Sequence, residues 1–412
     1  MLQIFKDEIL ENKDIFLGGY MQYRKDKYGN NLSVLGFGCM RFTQKAGHID
    51  LDKAESELMC AIKLGLNYLD TAYIYPGSEE ALGVILERTQ TRDRVYIATK
   101  LPHYMIKSAS DMDKYLNEQL RRLRTDHIDY YLMHMLNDVK SFERLKSLGI
   151  ENWLKDKMTK GQIRQVGFSY HGGSEKFIEL TDAYDWDFCQ IQYNYLDENS
   201  QAGRTGLNHA ASRNIPVIIM EPLRGGRLVN DLPPKALKAI SDYPVKRTPA
   251  EWGLSWLYDQ PEVTVVLSGM NSVEMIEENC RLASEITPHT LTEGDFALYN
   301  TIIKEINAKM KVGCTGCRYC MPCPKGVDIP GVFASYNRRA SDGYFISLKE
   351  YFMTTTLRHD YTGASNCIKC GLCEKHCPQN ISIREALAKA RRSLEDPVYK
   401  VGKAFAPFFA KY

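Results

Sequence analysis

Between about residue 30 and residue 282, short β-rich runs alternate with helical patterns, eight times over. The runs are Ser33–Phe37, Asn67–Asp70, Val95–Lys100, Ile128–His134, Gln165–Ser169, Cys189–Gln192, Pro216–Met220 and Thr264–Ser268. Helical periodicity follows them, as in Asp52–Leu64, Ser78–Glu87, Met112–Leu123, Glu175–Ala183 and Pro249–Tyr258. Eight strand-then-helix repeats over about 250 residues predict an α/β fold, a parallel (β/α)8 TIM barrel. The alternative is an open doubly wound sheet. It lacks its main support, because Gly36-Phe37-Gly38-Cys39-Met40-Arg41 does not complete a G-x-G-x-x-G after the first strand. With 412 residues, 44% of them hydrophobic and 25% charged, the chain has the material for such a core and is not a disordered polymer.

The barrel uses only part of the length. At about 150 residues per domain, the remainder leaves room for an appendage. Residues 1–20 read as an N-terminal extension, 21–290 as the barrel, 291–311 as a connecting helix and 312–412 as a second domain. That second domain holds eight of the twelve cysteines. They form two runs, Cys314-x2-Cys317-x2-Cys320-x2-Cys323-Pro324 and Cys367-x2-Cys370-x2-Cys373-x3-Cys377-Pro378. A secreted disulfide scaffold would be short and would spread its cysteines. The second run matches the bacterial ferredoxin pattern for 4Fe-4S ligation letter for letter. Three cysteines at a spacing of three wrap one cubane face, and the fourth, before proline, reaches the neighbouring cluster. Two 4Fe-4S clusters are expected. One takes Cys314, Cys317, Cys320 and Cys377; the other takes Cys367, Cys370, Cys373 and Cys323. The first run is one residue shorter than the standard spacing, which bears on Cys323. Zinc sites pair two C-x2-C hairpins and do not use a third cysteine at the same step or a Cys-Pro ending. The residues between the runs, and the amphipathic stretch Ile383–Leu394, point to a mostly α-helical ferredoxin-like module.

Charge is uneven. Residues 311–412 carry 16 Lys+Arg against 8 Asp+Glu, a net +8, while the rest carries 37 against 43, a net −6. Two oxidised clusters with their thiolates add roughly −4 to the module, so the basic excess either compensates them or docks an acidic redox partner protein. At +2 overall the chain has no nucleic-acid footprint. No apolar run reaches the roughly 18 residues that cross a bilayer, so no membrane association is expected. The charged start, Met1 to Glu8, lacks the apolar core of a signal peptide, and cytoplasmic residence is expected.

Barrel active sites lie at the C-terminal ends of strands. Asp70 closes the second run, Tyr75 follows five residues later, Lys100 closes the third and His134 the fourth. An acid, a phenol, an amine and an imidazole on three adjacent strands form a proton-transfer constellation. With Leu69-Asp70-Thr71-Ala72-Tyr73-Ile74-Tyr75-Pro76-Gly77-Ser78-Glu79, these residues resemble the aldo-keto reductase family from about Met21 to Leu282, followed by a ferredoxin-type domain. The resemblance implies hydride transfer between a nicotinamide and a small carbonyl or alcohol. Tyr75 would be the proton donor, Lys100 would lower its pKa, Asp70 would hold Lys100, and His134 would orient the carbonyl oxygen.

The resemblance also implies cofactor positions. Ser169 and Gln190 match the carboxamide-binding residues, and Tyr170 replaces the Asn that usually follows Ser169. Met220 stands where an aromatic usually stacks on the nicotinamide. Leu223, Gly225 and Gly226 match the pyrophosphate loop, and Glu278 and Asn279 the adenine side. The usual Lys and Arg of that last signature are Gly269 and Met275. Those cations normally clamp a 2′-phosphate, so NAD(H) is expected over NADP(H). Nicotinamide moves two electrons as hydride and a cluster moves one, so a flavin would be needed to bridge them, and no motif assigns one. His171-Gly172-Gly173 after the fifth run could also approach a ligand. The competing reading is an electron-transfer or redox-sensing protein whose barrel binds nicotinamide as a regulatory ligand.

Overall fold

The computed structural model describes residues 21–136, 138–171, 174–199, 201–314, 316, 319–341, 343–356, 361–377 and 379–405. The extension at 1–20, Gly172, Gly173, Cys317 and Pro378 lie outside the described residues. All eight expected strands are present: β1 (Leu35–Gly38), β2 (Tyr68–Asp70), β3 (Tyr96–Leu101), β4 (Ile128–Met133), β5 (Ile163–Tyr170), β6 (Phe188–Gln192), β7 (Val217–Met220) and β8 (Val263–Ser268). They close into one parallel barrel in sequence order, with β8 pairing back onto β1. The alternation of strand and helix leaves only parallel pairing between successive strands, and closure follows.

The inside of the barrel is packed. Tyr68, Ala98, Tyr130, Leu132, Phe188, Ile218, Val265 and Leu267 form an interior layer beneath the site. The Tyr130 ring lies 5.1 Å from both Tyr68 and Phe188. Each large side chain buried this way contributes about 1.5–3 kcal/mol of transfer free energy. A hairpin of Tyr23–Lys25 and Asn31–Ser33 precedes the barrel. Its turn uses Gly29 at φ 86°, a left-handed conformation that favours glycine. Its Asp26 carboxylate accepts bonds from Tyr130 Oη (2.6 Å) and Gln165 Nε2, which ties the hairpin to β4 and β5.

The outer helices start where their caps dictate. Asp50 accepts from Lys53 N ahead of Leu51–Lys63, and Thr248 with Glu251 forms a capping box around Pro249–Tyr258. The expected exit helix, 291–311, is Glu293–Lys309, capped by Thr292. It is no free connector. Leu298, Tyr299 and Ile302 belong to the barrel's own core, and Tyr299 Oη donates to Trp252 O at 2.7 Å.

The second module has a separate core of Val312, Val327, Ile329, Val332, Phe333, Leu348, Tyr351, Ala364, Ile383, Leu387, Ala390, Leu394 and Tyr399. Helices Ile329–Ser341, Tyr344–Tyr351 and Ile383–Leu394 supply most of it, so the helical expectation holds. Glu395 closes the bundle. Its Oε1 accepts from Tyr351 Oη (2.6 Å), Tyr361 Oη (2.9 Å) and Ser365 N (2.9 Å). Among the described residues no helix is long and apolar enough to cross a membrane.

Candidate active site

The register of β2 and β3 brings the first pair of expected residues together. Asp70 pairs with Ala98, and Lys100 lies two positions further along β3, so both side chains enter the top of the barrel. Lys100 Nζ donates to Asp70 Oδ1 at 2.6 Å and to Thr71 O at 2.8 Å. Lys100 is 1% exposed and Asp70 5%. The second carboxylate oxygen, Oδ2, accepts from Gln190 Nε2 at 2.8 Å. A buried ion pair is sustained only when its remaining lone pairs and protons are satisfied, and here Thr71 and Gln190 do that.

Tyr75 and His134 complete the group. Lys100 Nζ lies 5.2 Å from the Tyr75 ring centroid, and the Tyr75 and His134 rings meet edge-on with centroids 6.3 Å apart. Tyr104 stands at the same distance from His134 on the loop after β3. The four expected catalytic residues therefore share one cluster, with Asp70, Lys100 and His134 buried and Tyr75 half-buried at its opening.

Electrostatics there differ in one respect from the expectation. Lys100 is the largest influence on the Tyr75 phenol and pulls its pKa down, but burial and the Asp70 carboxylate together outweigh it. The phenol therefore sits above its usual value, not below it. For Lys100, burial alone would favour the neutral amine, yet Asp70 and Tyr75 more than offset it and the ammonium is retained. His134 is pushed down to about 3, chiefly by burial and then by Lys100. It is a neutral imidazole at pH 7, and its buried Nδ1 has no hydrogen-bond partner among the described residues.

A second layer holds the first, and sequence reasoning passed over it. Glu79 is buried beneath β3. It accepts from Thr99 Oγ1 (2.6 Å), Gln119 Nε2 (2.8 Å) and Arg122 Nη1 (3.2 Å). Gln119 also donates to Lys100 O at 3.1 Å and accepts from Tyr131 Oη at 2.8 Å. This network fixes the backbone that carries Lys100. Glu79 stands within the motif quoted above. Gln119 lies on the following helix with no signal beyond its position on that helix's buried face.

The expected cofactor positions are distributed along the mouth. Ser169 and Gln190 pair across β5 and β6. Ser169 Oγ accepts from Met135 N at 2.8 Å, and the Gln190 amide nitrogen is engaged by Asp70. Met220 closes β7, half-buried against the interior layer. Gly225 and Gly226 turn at φ 68° and 92°, an open backbone cradle after β7 that a residue with a Cβ resists. Leu223 departs from the expectation. Its side chain packs over the bare face of Gly253 in the helix before β8, where a Cβ would collide with it. It serves the core more than the loop surface. Glu278 is exposed on the helix after β8, and Asn279 is buried, donating to Ser268 Oγ at 3.3 Å.

In the second module a cavity of about 400 Å³ is lined by Cys320, Cys323, Cys367, Cys370 and Cys373, with His376 and Arg384 at its edge. Cys323 lines this space together with Cys367, Cys370 and Cys373 of the second run. Cys320, assigned to the other set, borders the same space. Cys314 and Cys377 pack against the module's core nearby. Cys317 lies outside the described residues. Tyr319, inside the first cysteine loop, also lines this cavity and hydrogen-bonds the phenol of Tyr170, the residue after Ser169. Burial, then this contact, pushes the Tyr170 pKa up. The cysteine loop therefore touches the mouth of the barrel.

Comparison with known proteins agrees with this architecture. The Aldo/keto reductase family matches residues 34–297, and the 4Fe-4S dicluster domain matches residues 313–381. L-galactose dehydrogenase of Arabidopsis thaliana is 27% identical over 278 residues, covering 63% of this chain and 86% of that protein. The holo form of aldo-keto reductase AKR11C1 from Bacillus halodurans superposes with a TM-score of 0.56 at 24% identity, covering 69% of this chain and 96% of the other. An aldo-keto reductase from Klebsiella pneumoniae in complex with NADPH superposes at 0.54 and 23% identity, covering 68% and 94%. These two likenesses speak to the fold. The family match spans the barrel and includes Asp70, Tyr75, Lys100 and His134. The chain thus belongs to the aldo/keto reductase family of oxidoreductases, with a 4Fe-4S dicluster domain joined to the C-terminal side of its barrel.

Proposed function

We propose that this protein interconverts a small carbonyl compound and its alcohol at the barrel, with a nicotinamide dinucleotide as the hydride carrier. The observation that carries the reading is the buried Lys100–Asp70 pair beside Tyr75, with a neutral imidazole at His134. When bound, the nicotinamide supplies hydride to carbon or takes it back. Everything else falls to the protein. Tyr75, kept protonated at neutral pH by its raised pKa, gives its phenolic proton to the carbonyl oxygen. Lys100⁺ stabilises the phenolate left behind, and Asp70 with Gln190 holds Lys100 in place. His134 donates a hydrogen bond to the same oxygen and fixes its direction.

The site has room for the cofactor by its own features. The Gly225-Gly226 turn leaves open backbone where the phosphates would lie, and the Ser169–Gln190 pair sits beside the reacting groups. The expected NADH preference has no support among the relatives, one of which binds NADPH, so the proposed cofactor is NAD(P)H without a choice between the two. We assign two 4Fe-4S clusters to the second module with the ligand sets given above. The Tyr319–Tyr170 contact brings the cysteine module to the barrel mouth, and electron exchange between the two would run through a bound flavin that splits the hydride pair. The net +8 of that module supports an acidic redox partner. The eight cysteines read as thiolate ligands support residence in a reducing compartment such as the cytoplasm.

The test is Tyr75→Phe in the cluster-loaded chain, assayed for NAD(P)H-dependent carbonyl reduction alongside the cluster absorbance. Loss of turnover by about 10²–10⁴ with an unchanged cluster spectrum is the expected result. Unchanged turnover would remove Tyr75 from the mechanism.

A further inference from the structure

The loop after β1 reaches across the barrel mouth. Thr43 Oγ1 donates to Asn271 O at 3.4 Å, on the loop after β8. Arg41, just before it, lies along two glycines from two other loops. A Cβ on Gly269, after β8, would stand 3.0 Å from Arg41 Cδ, 3.3 Å from its Cβ and 3.4 Å from its Cγ. A Cβ on Gly225, after β7, would stand 3.4 Å from Arg41 Nη2. The stem of Arg41 thus rests on Gly269 and its guanidinium overhangs the Gly225-Gly226 turn. Arg41 is exposed and makes no ion pair or hydrogen bond with any described residue. Its cationic neighbours differ. Arg224 is engaged by Asp197 at 3.2 Å, and Lys100 is buried on Asp70.

An extended arginine seated on two bare backbones, with no acid to meet, presents a five-donor fork to the open end of the site. The loops after strands 7 and 8 are where barrels of this architecture commonly hold phosphate. We propose that Arg41 is the pyrophosphate clamp of this protein. Its guanidinium binds the two bridged phosphates of the dinucleotide above the Gly225-Gly226 turn, and Gly269 is bare because the Arg41 stem occupies that space. The charge comes from the loop after β1, not from the eighth-strand loop, where Gly269 and Met275 offer none. The proposal rests on the nicotinamide dinucleotide reading of the site.

The experiment is equilibrium binding, read by calorimetry or protein fluorescence, on the full chain with its clusters. The probes are NAD+, NADP+, ADP-ribose and 2′,5′-ADP. The variants are Arg41→Ala, Arg41→Lys and Gly269→Ala. A clamp on the pyrophosphate predicts that Arg41→Ala weakens NAD+, NADP+ and ADP-ribose by a similar factor of about 10 to 100, as for loss of charge-assisted hydrogen bonds. It also predicts that 2′,5′-ADP, which keeps only the adenosine-side phosphate of the bridge, is weakened less than the three ligands with the whole bridge, and that Arg41→Lys recovers part of the loss. Gly269→Ala should weaken the same three ligands, because its methyl pushes on the Arg41 stem, and should add nothing in the Arg41→Ala background. Full affinity for NAD+ and ADP-ribose in Arg41→Ala would overturn the proposal, as would a loss confined to NADP+ and 2′,5′-ADP. A wild-type chain that binds none of the dinucleotides would defeat the cofactor reading itself, and the clamp with it.

Discussion

Replacing Lys100 with methionine tests the ion pair at the centre of the site. Lys100 Nζ and Asp70 Oδ1 are 2.6 Å apart and almost wholly excluded from solvent. At an effective dielectric of about 20, their gross attraction is about 6 kcal/mol. Removing the ammonium also removes its own cost of burial, so the net loss is smaller. One partner taken from a buried pair costs about 3–5 kcal/mol, because the other charge is stranded. Asp70 would keep only the Gln190 bond. At roughly 2–3 °C per kcal/mol for a barrel of this size, the unfolding midpoint should fall by about 6–15 °C.

The assay is anaerobic thermal unfolding followed by circular dichroism, with Asp70→Asn and the double variant completing a cycle. The double variant should be more stable than the sum of the singles implies. A midpoint within 2 °C of wild type, or strict additivity, would refute the buried-pair account.

Other outcomes follow from the same geometry. Since His134 is held down to about 3 while an unfolded histidine titrates near 6.5, the unfolded state gains a proton first as pH falls. Wild-type stability should drop by about 1.4 kcal/mol per pH unit from this residue below pH 6.5, and His134→Gln should flatten that part of the urea-denaturation profile. Replacing Cys370 with serine should cost one of the two clusters, read as a fall in iron and sulfide content to about half; unchanged iron would remove Cys370 from the ligand set. In Gly83→Ala the new methyl meets the backbone of Arg122 and Leu123, with Leu123 Cα 2.9 Å away, so overpacking should destabilise the barrel by about 1–3 kcal/mol.

Much of the molecule is written in local pattern. The eight strands are continuous apolar runs because their residues are buried on both faces, and the helices between them carry a period that one-sided burial imposes. The cysteine runs are legible because their spacing is set within short loops, while the meeting of Cys320 and Cys323 with Cys367, Cys370 and Cys373 around one cavity is a product of the fold. Asp70, Tyr75, Lys100 and His134 were legible as a group because each ends or closely follows a strand, and barrel strands all point the same way. Three features were not legible, and each joins segments remote in sequence. Gln190 supports Asp70 from 120 positions away, across the barrel. Arg41 lies on glycines of the seventh and eighth loops, and nothing local to residue 41 announces it. Tyr319 meets Tyr170 only because the cysteine module docks at the barrel mouth. The sign of the Tyr75 shift belongs with them. Residue types show that a cation and an anion are both near the phenol, but which prevails depends on burial, and burial is a property of the closed barrel. Sequence alone determined the elements and the chemical groups they carry. Tertiary structure decided which groups meet and how dry their meeting place is, because through-space contact and desolvation exist only once the chain has folded.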